Sequence, residues 1–240
     1  MVQYSIFSTN YKSSKGRVFC EKDDPNRTCF MRDRDRIIHS SAFRRLKYKT
    51  QVFVHHEEDY FRTRLSHSLE VSQLSRSISK VFNINDDLTE SISLSHDLGH
   101  TPFGHAGEEV LNNKMKGRGG FNHNYQALKI LTVLEKKYLD FDGLNLTFET
   151  LDGILKHNGP ITSVLPSYIQ SFINFFGGEK KSQGSFEAQI AAICDDIAYN
   201  NNDIDDGLYA GLFEIEELNE LEIIKDAFKK INLKKSKEYR

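Results

Sequence analysis

The sequence HDLGHTPFGH, residues 96–105, combines an adjacent histidine and aspartate with residues that end a helix. His96 and Asp97 follow an apolar helical run, and Gly99 and Pro102 turn the chain directly after them. Where the chain turns in this way, an imidazole nitrogen and a carboxylate oxygen can face the same ion. The stretch therefore predicts part of a metal site, because two ligands alone do not hold a divalent cation.

Two residues outside this stretch are candidates to complete the ligand set. His67 lies on an earlier predicted helix that begins RLSHSLEV, and Asp195 follows an apolar helical run in AICDDIAYN. Two histidines and two aspartates with open coordination positions suit Mg²⁺, Mn²⁺, Fe²⁺ or Zn²⁺ and metal-assisted hydrolysis. Taken singly, each residue has another interpretation, because a lone histidine is often a hydrogen-bonded core or surface group and paired aspartates often lie on a solvated face.

The spacing of apolar residues around this constellation is mostly helical. Helices are predicted from Arg34 onward, over residues 65–82, 86–96, 125–138, 150–156 and 186–201, and in the amphipathic stretch after Glu214. The run TQVFVHHEED, residues 50–59, predicts a short strand or hairpin edge. The expected fold class is all-α, a helical bundle with at most a short β-hairpin near residues 50–60.

Composition narrows the class of protein. With 17 Phe and 10 Tyr in 240 residues, a disordered chain is excluded. No apolar run approaches the ~18–20 residues that a membrane span needs, and no signal-peptide pattern opens the chain, so no membrane partner is expected. Three scattered cysteines do not make a disulfide framework, and we therefore expect a cytoplasmic protein.

Charge and periodicity suggest the domain organisation. Residues 1–30 are predicted to be an N-terminal arm, residues 31–212 one helical domain, and residues 213–240 a C-terminal helix with a basic tail. Residues 32–64 hold nine Lys or Arg against five acids, whereas residues 187–226 hold twelve acids against one lysine. This asymmetry suits a cleft for an anionic ligand and cations, or two solvated helix faces. The tail leaves a weak nucleic-acid contact open, although a solvated terminus is preferred.

Longer motifs carry a family resemblance over about residues 30–212. They are, in order, RDRDRIIHSSAFRRLKYKTQVF, YFRTRLSHSLEVSQ, LSHDLGHTPFGHAGEEVLN, GGFNHNYQ, KHNGP and EAQIAAICDDIAYNNNDIDDG. Together they resemble the HD-domain deoxynucleoside triphosphate triphosphohydrolases, in particular the bacterial deoxyguanosine triphosphate triphosphohydrolase-like group. The resemblance implies an HD-domain helical bundle that splits a dNTP, such as dGTP, into deoxynucleoside and inorganic triphosphate. It places the metal ligands at His67, His96, Asp97 and Asp195.

The resemblance also implies catalytic roles for the other histidines. His105 matches the residue beside the α-phosphate and the 5′ oxygen, where it would protonate the leaving alkoxide. Glu108, three residues further along, would orient His105. His123 matches another active-site histidine, and His100 matches a phosphate-binding one. His157, in KHNGP, matches a family motif to which no mechanistic role is attached.

Substrate-binding residues follow from the same resemblance. Arg64 matches a phosphate-binding arginine. Gln51 and Val52 match positions near the base and sugar, with the purine edge and the 3′-hydroxyl both open as partners for Gln51. Asp203 would accept from the 3′-hydroxyl, and Tyr199 would pack against C2′ and so disfavour ribose.

Cofactor and assembly expectations complete the prediction. Mg²⁺ or Mn²⁺ is preferred as the divalent metal, with Fe²⁺ or Zn²⁺ as alternatives. The resemblance leaves a homo-oligomer open, because the family often assembles, and the sequence does not determine the oligomeric state. Family chains are longer, so this chain is expected to be C-terminally short and to lack part of the wall that discriminates bases. Two other functions stay open: a catalytically impaired nucleotide- or nucleic-acid-binding HD protein, and an HD phosphohydrolase that acts on another nucleotide.

Overall fold

Helices dominate the computed structural model, which describes residues 4–53, 60–162 and 165–230. Within these ranges the chain forms ten α-helices, several short 3₁₀ turns and no β-strand. The α-helices are α1 (Cys29–Ile38), α2 (Ser41–Arg45), α3 (Arg64–Phe82), α4 (Asp86–Ser95), α5 (Gly104–Lys114), α6 (His123–Lys129), α7 (Phe148–Leu155), α8 (Ser167–Phe176), α9 (Phe186–Tyr209) and α10 (Glu222–Lys230). The all-α prediction is confirmed.

The predicted hairpin is described only at its base. Thr50 and Thr63 form an isolated antiparallel bridge. On either side of it, the Gln51 N–H donates to the Arg62 carbonyl at 3.4 Å and the Arg64 N–H donates to the Lys49 carbonyl at 2.9 Å. Residues 54–59, which would form the rest of the hairpin, lie outside the described residues.

Capping residues explain where the two central helices begin. The side chain of Thr63 and that of Ser66 satisfy each other's backbone N–H groups in a capping box at the start of α3. Asn85 caps α4 by accepting from the Leu88 N–H. Asn83, in the left-handed conformation, ends α3. The two helices therefore lie close to their predicted bounds, residues 65–82 and 86–96.

Other helix bounds differ from the prediction. The helix predicted over residues 125–138 ends early: α6 passes into a π-helical turn, Ile130–Leu134, and Glu135 is extended. The chain then reverses, because the Leu144 N–H donates to the Leu131 carbonyl at 2.7 Å. α1 begins at Cys29, before Arg34, since Thr28 caps it. α8 lies where no helix was predicted.

The packing of α3 on α4 brings two histidine-bearing segments together. Small serine side chains fill the contact: Ser75 and Ser93 share a hydrogen bond of 2.9 Å, and Ser79 donates to Thr89 at 2.9 Å. These residues are fully buried. Because they carry little bulk, the two helices approach closely. His67 near the start of α3 and His96 after the end of α4 are thereby placed side by side.

α9 packs by its small residues against the same helices. Ala188 and Ala191 pack in a cluster with Leu88 and Ile92 of α4. Cys194 joins a second cluster, which includes Val71 of α3. Asp195 follows directly after these buried positions. The apolar run that precedes Asp195 in the sequence thus anchors α9 against the helices that carry the histidines.

Polar contacts join the described part of the N-terminal arm to α9 and α1. The buried carboxylate of Glu187 accepts from the Thr9 N–H and from the Thr9 hydroxyl, both at 2.8 Å. Further along the arm, Arg17 pairs with buried Asp33 at 2.6 Å. The buried carboxylates of Glu187 and Asp33 therefore both have partners, as burial in a low-dielectric interior requires.

The chain divides into two compact units, one that ends at Tyr199 and one that begins at Asn200, with the division inside α9. Leu218, on a 3₁₀ turn before α10, is buried in the second unit. Among the described helices, none has the length and apolar character that crossing a membrane would require.

Candidate functional site

Three ligand-type side chains converge where α3 meets the turn after α4. Ligand atoms of His67, His96 and Asp97 all lie within 4.8 Å of one another, and the three side chains are buried. His67 comes from α3, whereas His96 and Asp97 begin the 3₁₀ turn His96–Gly99. Side chains 29 positions apart in sequence thus form one cluster of donors that could hold a metal ion.

Asp195 of α9 adjoins this cluster. Its Oδ1 lies 2.8 Å from His67 Nε2 and 3.4 Å from His96 Nε2. Its Oδ2 lies 3.1 Å from Nε2 of His157. The structure therefore brings all four sequence-predicted metal residues together and adds a fifth polar side chain, His157.

Unpartnered buried atoms test whether a cation fits here. The Nδ1 of His96 lies 2.6 Å from the Ser93 carbonyl oxygen. Because a carbonyl oxygen only accepts, Nδ1 must carry a hydrogen, and in the neutral ring Nε2 then carries the lone pair. That Nε2 and Oδ2 of Asp97 are buried without a hydrogen-bond partner among the described residues. An unpartnered buried polar atom costs about 1–3 kcal/mol. A divalent cation would satisfy both atoms, and the donor set of imidazole nitrogen and carboxylate oxygen suits such an ion.

The charges in the cluster stabilise one another. Burial lowers the pKa of His96, but the carboxylates of Asp195 and Asp97 outweigh burial and raise that pKa to about 9. Burial raises the pKa of both carboxyls, but the surrounding groups, with His96 first and then Arg64 at Asp97 and His157 at Asp195, together outweigh it and hold the pKa of Asp97 and Asp195 well below the usual range. Both carboxyl groups are therefore ionised near neutral pH, and a bound cation would take the place of the proton that they hold on His96, since a ligating imidazole must be neutral.

Arg64, the first residue of α3, is ion-paired with the cluster. Its Nη1 donates to Oδ1 of Asp97 at 2.8 Å, and both side chains are buried. Its Nε is buried with no hydrogen-bond partner among the described residues. Opposite it, a Cβ on Gly104 would stand 3.4 Å from Arg64 Nη2. The guanidinium thus lies directly beside the metal-type ligands, with unused donor capacity.

A second histidine cluster continues from Asp97. His100 Nε2 lies 3.4 Å from Asp97 Oδ1, and the His100 ring stacks on His123 with ring centres 4.3 Å apart. Burial, with Arg64 adding to it, lowers the pKa of His100 to about 3, so this ring is neutral. His105 contacts both rings edge-on, at 5.3 and 6.0 Å, and its side chain is 77% exposed. The three rings form a continuous path from the buried cluster to solvent.

Glu108 pairs with a different histidine from the one assigned to it by sequence. It accepts from the backbone N–H of His123 at 2.8 Å and from Nδ1 of the same residue at 2.8 Å. Its distance to Nδ1 of His105 is 3.6 Å, too long for a hydrogen bond. Burial raises the pKa of Glu108, but His123 outweighs burial and lowers it overall. The structure therefore makes His123 the residue that Glu108 orients.

The predicted sugar and base residues lie on two different elements of the chain. Gln51 and Val52 follow the Thr50–Thr63 bridge. The Oε1 of Gln51 is buried without a hydrogen-bond partner among the described residues, and Val52 is half exposed. Tyr199 and Asp203 lie on α9 after Asp195, Tyr199 as the last residue of the first unit and Asp203 in the second unit.

Two residues beside the site were not assigned roles by sequence reasoning. His157 stacks on His96, with ring centres 5.1 Å apart, and contacts Asp195. Lys49 donates to the carbonyl oxygens of Leu98 and His100, at 3.3 and 2.9 Å, and so ties down the turn that carries the histidines. In the sequence, the motif KHNGP marks His157. Lys49 stands in KTQVF, the motif that also holds Gln51 and Val52.

Comparison with known proteins defines the class to which this helical bundle and its histidine–aspartate cluster belong. Residues 64–200 match the HD domain, which takes in α3, α4 and the Asp195 segment of α9. This match covers more than half of the chain. The chain belongs to the HD-domain family.

Within that family, the chain is similar to deoxyguanosinetriphosphate triphosphohydrolase-like proteins. It is 55% identical to the one from Parvibaculum lavamentivorans over 231 residues, which cover 94% of this chain and 58% of that relative. It is 57% identical to the one from Pelagibacter ubique over 220 residues, 90% of this chain and 59% of that relative. The resemblance described from sequence motifs is confirmed, and the chain spans less than three fifths of the length of these curated relatives.

Proposed function

We propose that this protein hydrolyses deoxynucleoside triphosphates, in the manner of a dGTP triphosphohydrolase, to a deoxynucleoside and inorganic triphosphate. One observation carries the proposal: a buried cluster of His67, His96 and Asp97 shares the Asp97 carboxylate with the guanidinium of Arg64. A cation and an arginine side by side are the groups that polyphosphate hydrolysis needs. The similarity to dGTP triphosphohydrolase-like relatives supports the choice of substrate.

The proposed cofactor is one divalent metal ion held by His67, His96, Asp97 and Asp195. Mg²⁺ or Mn²⁺ is preferred, and Fe²⁺ or Zn²⁺ also suits two imidazoles with two carboxylates. When bound, such an ion lowers the pKa of water and polarises a phosphoryl oxygen. The chain's own contribution is to hold these four side chains in place before substrate arrives.

In the proposed reaction, a water oxygen bonds to the α-phosphorus and the bond from that phosphorus to the 5′ oxygen breaks. Arg64 binds phosphate oxygens through the donors that Asp97 does not use. His100 is neutral, and its ring can donate one hydrogen bond to a phosphate oxygen. Both side chains are buried, so few new conformations need to be frozen when the triphosphate binds.

The leaving 5′ oxygen needs a proton, and His105 is proposed to supply it. Its ring contacts His100 and His123 and reaches solvent, from which it can be reprotonated between turnovers. Glu108 fixes His123, which in turn borders His105. General acid catalysis by a positioned side chain contributes typically ~10²–10⁴ in rate.

Recognition of the sugar and base is assigned to four residues, of which only Tyr199 lies within the range that matches the HD domain. Asp203 is proposed to accept from the 3′-hydroxyl and Tyr199 to pack against C2′, where a 2′-hydroxyl would be excluded. Gln51, whose buried Oε1 has no hydrogen-bond partner among the described residues, is proposed to bind the base edge or the 3′-hydroxyl, with Val52 beside it. A homo-oligomer is proposed as the working assembly.

Product analysis tests the proposal. The chain is incubated with each dNTP and Mn²⁺ or Mg²⁺ in ¹⁸O-labelled water, and the products are resolved by ion-pair chromatography. Deoxynucleoside with labelled triphosphate is expected, since the water oxygen joins the α-phosphorus. Monophosphate with pyrophosphate would contradict the proposal, and nucleotide binding without turnover would favour an impaired nucleotide-binding HD protein.

A pair of neighbouring variants tests the ligand set. Asp195→Ala is expected to lose both the metal and turnover, because its carboxylate faces two of the ligand histidines. Asp196→Ala removes the same charge one residue along α9 from an exposed position and is expected to keep the metal. Metal content after gel filtration gives the readout. An Asp195→Ala protein that retains the ion would refute the assignment.

A further inference from the structure

His157 lies in the turn that follows α7, and its ring contacts His96 and Asp195 in the cluster of possible metal ligands. Its backbone N–H donates to the Ile154 carbonyl at 3.3 Å, and Gly159, at φ +98°, turns the chain two residues later. The side chain is only 5% exposed. Its ring stacks nearly parallel on the ring of His96, at an angle of 26°. The turn after α7 and the contact with His96 therefore fix the position of this buried histidine.

The two oxygens of Asp195 face different partners. Oδ1 faces Nε2 of His67 and of His96, two of the cluster that could hold a metal. Oδ2 faces Nε2 of His157 at 3.1 Å. An ionised carboxylate can only accept hydrogen bonds, so this contact requires a hydrogen on His157 Nε2. One oxygen thus points toward the ligand side and the other is tied to His157.

We propose that His157 is a positioning residue for the metal site: it donates from Nε2 to Oδ2 of Asp195 and so keeps Oδ1 turned toward the ion. This inference rests on the proposed role of Asp195 as a metal ligand. Hydrogen-bond partners behind ligating carboxylates orient them, and their loss typically weakens metal binding by ~10–100-fold. Without His157, the Asp195 side chain could rotate and present both oxygens or neither.

Substitutions at position 157 can distinguish this positioning role from simple packing against the His96 ring. If His157 only filled space against His96, an aromatic ring without a donor would serve equally well. If it acts through the hydrogen bond, a donor without the ring would serve instead. Glutamine places an amide N–H close to the position of histidine Nε2, whereas phenylalanine keeps the ring and has no donor.

The test compares His157→Phe with His157→Gln in the full 240-residue chain, with Mn²⁺ alone as the probe. Mn²⁺ affinity is measured by calorimetry and by the electron paramagnetic resonance signal of free Mn²⁺, without nucleotide. Thermal unfolding is recorded with and without a chelator. His39→Gln, at an exposed position after α1, controls for the loss of one histidine.

We expect Mn²⁺ binding ~10–100-fold weaker in His157→Phe, near wild type in His157→Gln, and unchanged in His39→Gln. The melting temperature of the chelated His157→Phe protein should stay close to that of the wild type, while its gain in Tm on adding Mn²⁺ shrinks. Equal affinity in the Phe variant and the wild type overturns the inference. So does an equal loss in both His157 variants with a lowered metal-free Tm.

These outcomes are distinct from failure of the proposed function. If the wild-type chain does not bind Mn²⁺ at all, the proposed metal site is wrong and the inference is overturned with it. If the wild type binds Mn²⁺ and all variants bind equally, only the role of His157 is overturned.

Discussion

Glu108 accepts two hydrogen bonds from His123, one from its backbone N–H and one from its ring Nδ1, each at 2.8 Å. The first of these bonds joins the start of α6 to α5, and the second fixes the plane of the imidazole. Because the His123 ring stacks on His100 at 4.3 Å, Glu108 indirectly sets the position of the whole histidine cluster. The carboxylate stays ionised near neutral pH, since His123 lowers its pKa.

Glu108→Gln should therefore slow catalysis while metal binding stays intact. The amide keeps one acceptor but presents N–H groups to a donor that had a carboxylate, so the His123 ring loses its fixed orientation. Misplacement of this kind costs up to ~10²-fold in rate. Steady-state kinetics with dGTP measures the effect, and Glu109→Gln on the exposed side of α5 is the matched control. A Glu108→Gln protein with unchanged kcat would contradict the role.

His105→Ala should retain the metal and lose most of the rate. Its ring is 77% exposed and hydrogen-bonds to none of the four proposed ligands, so its removal leaves the cluster intact. The expected loss in kcat is ~10²–10⁴-fold, as for a positioned general acid. Restoration of the rate by added imidazole would support proton donation at this position. Loss of metal together with rate would instead show that His105 supports the cluster structurally.

The helical scaffold can be predicted from the sequence where local signals are strong. α3 and α4 have clear starts, because Thr63 and Asn85 are capping residues and apolar positions recur with helical spacing. The end of α6 was not predictable in the same way. Its π-helical turn is closed by a long-range hydrogen bond from Leu144 to Leu131, and no local pattern specifies a partner thirteen residues away.

In the site, too, residues marked by a local pattern can be predicted, whereas contacts between distant parts of the chain cannot. His96 and Asp97 can be singled out because they are adjacent and followed by turn residues. The helical patterns around His67 and Asp195 make these two residues candidates to complete the set, and the family motifs imply the same four ligands. The partner of Glu108 was assigned by helical spacing to His105, three residues away, whereas the hydrogen bond goes to His123 on the next helix. The sequence alone gives His157 no role, because its partner Asp195 lies 38 residues further along the chain, on α9.

Gly99→Ala should destabilise the turn that carries the ligands. A Cβ at this position would stand 1.9 Å from the His123 carbonyl oxygen and 2.4 Å from the Ala127 backbone nitrogen. Backbone atoms cannot move aside as a flexible side chain can, so the turn and α6 must separate. Overpacking of this kind costs typically about 1–3 kcal/mol. Urea unfolding measures the loss, and a variant as stable as the wild type would show that the turn is looser than described.

Glu21→Gln should weaken the attachment of the N-terminal arm. The Glu21 carboxylate accepts from two guanidinium nitrogens of buried Arg36, at 2.9 and 2.6 Å, and from the Asn145 amide at 2.6 Å. Hydrogen bonds to charged groups contribute about 1.5–3 kcal/mol each in favourable cases. Since Arg36 also donates to the Leu144 carbonyl, it keeps one partner after the change. The expected loss in unfolding free energy is about 1–3 kcal/mol.

The pH dependence of that loss identifies its electrostatic origin. Burial raises the pKa of Glu21, but the hydrogen bonds and charge of Arg36 outweigh burial and hold the pKa below its ordinary value of 4.5. A group whose pKa is lower in the folded state stabilises the fold above its unfolded pKa, and this contribution is lost as the pH falls through the folded pKa. The stability gap between wild type and Glu21→Gln should therefore be full at about pH 7 and should close in acid, as the pH falls below 4.5 and through the lowered pKa of Glu21. Asp23→Asn, at an exposed position two residues along, should show no such gap. A gap between wild type and Glu21→Gln that stayed constant with pH would mean that glutamine disturbs packing and that the ion pair with Arg36 contributes nothing measurable.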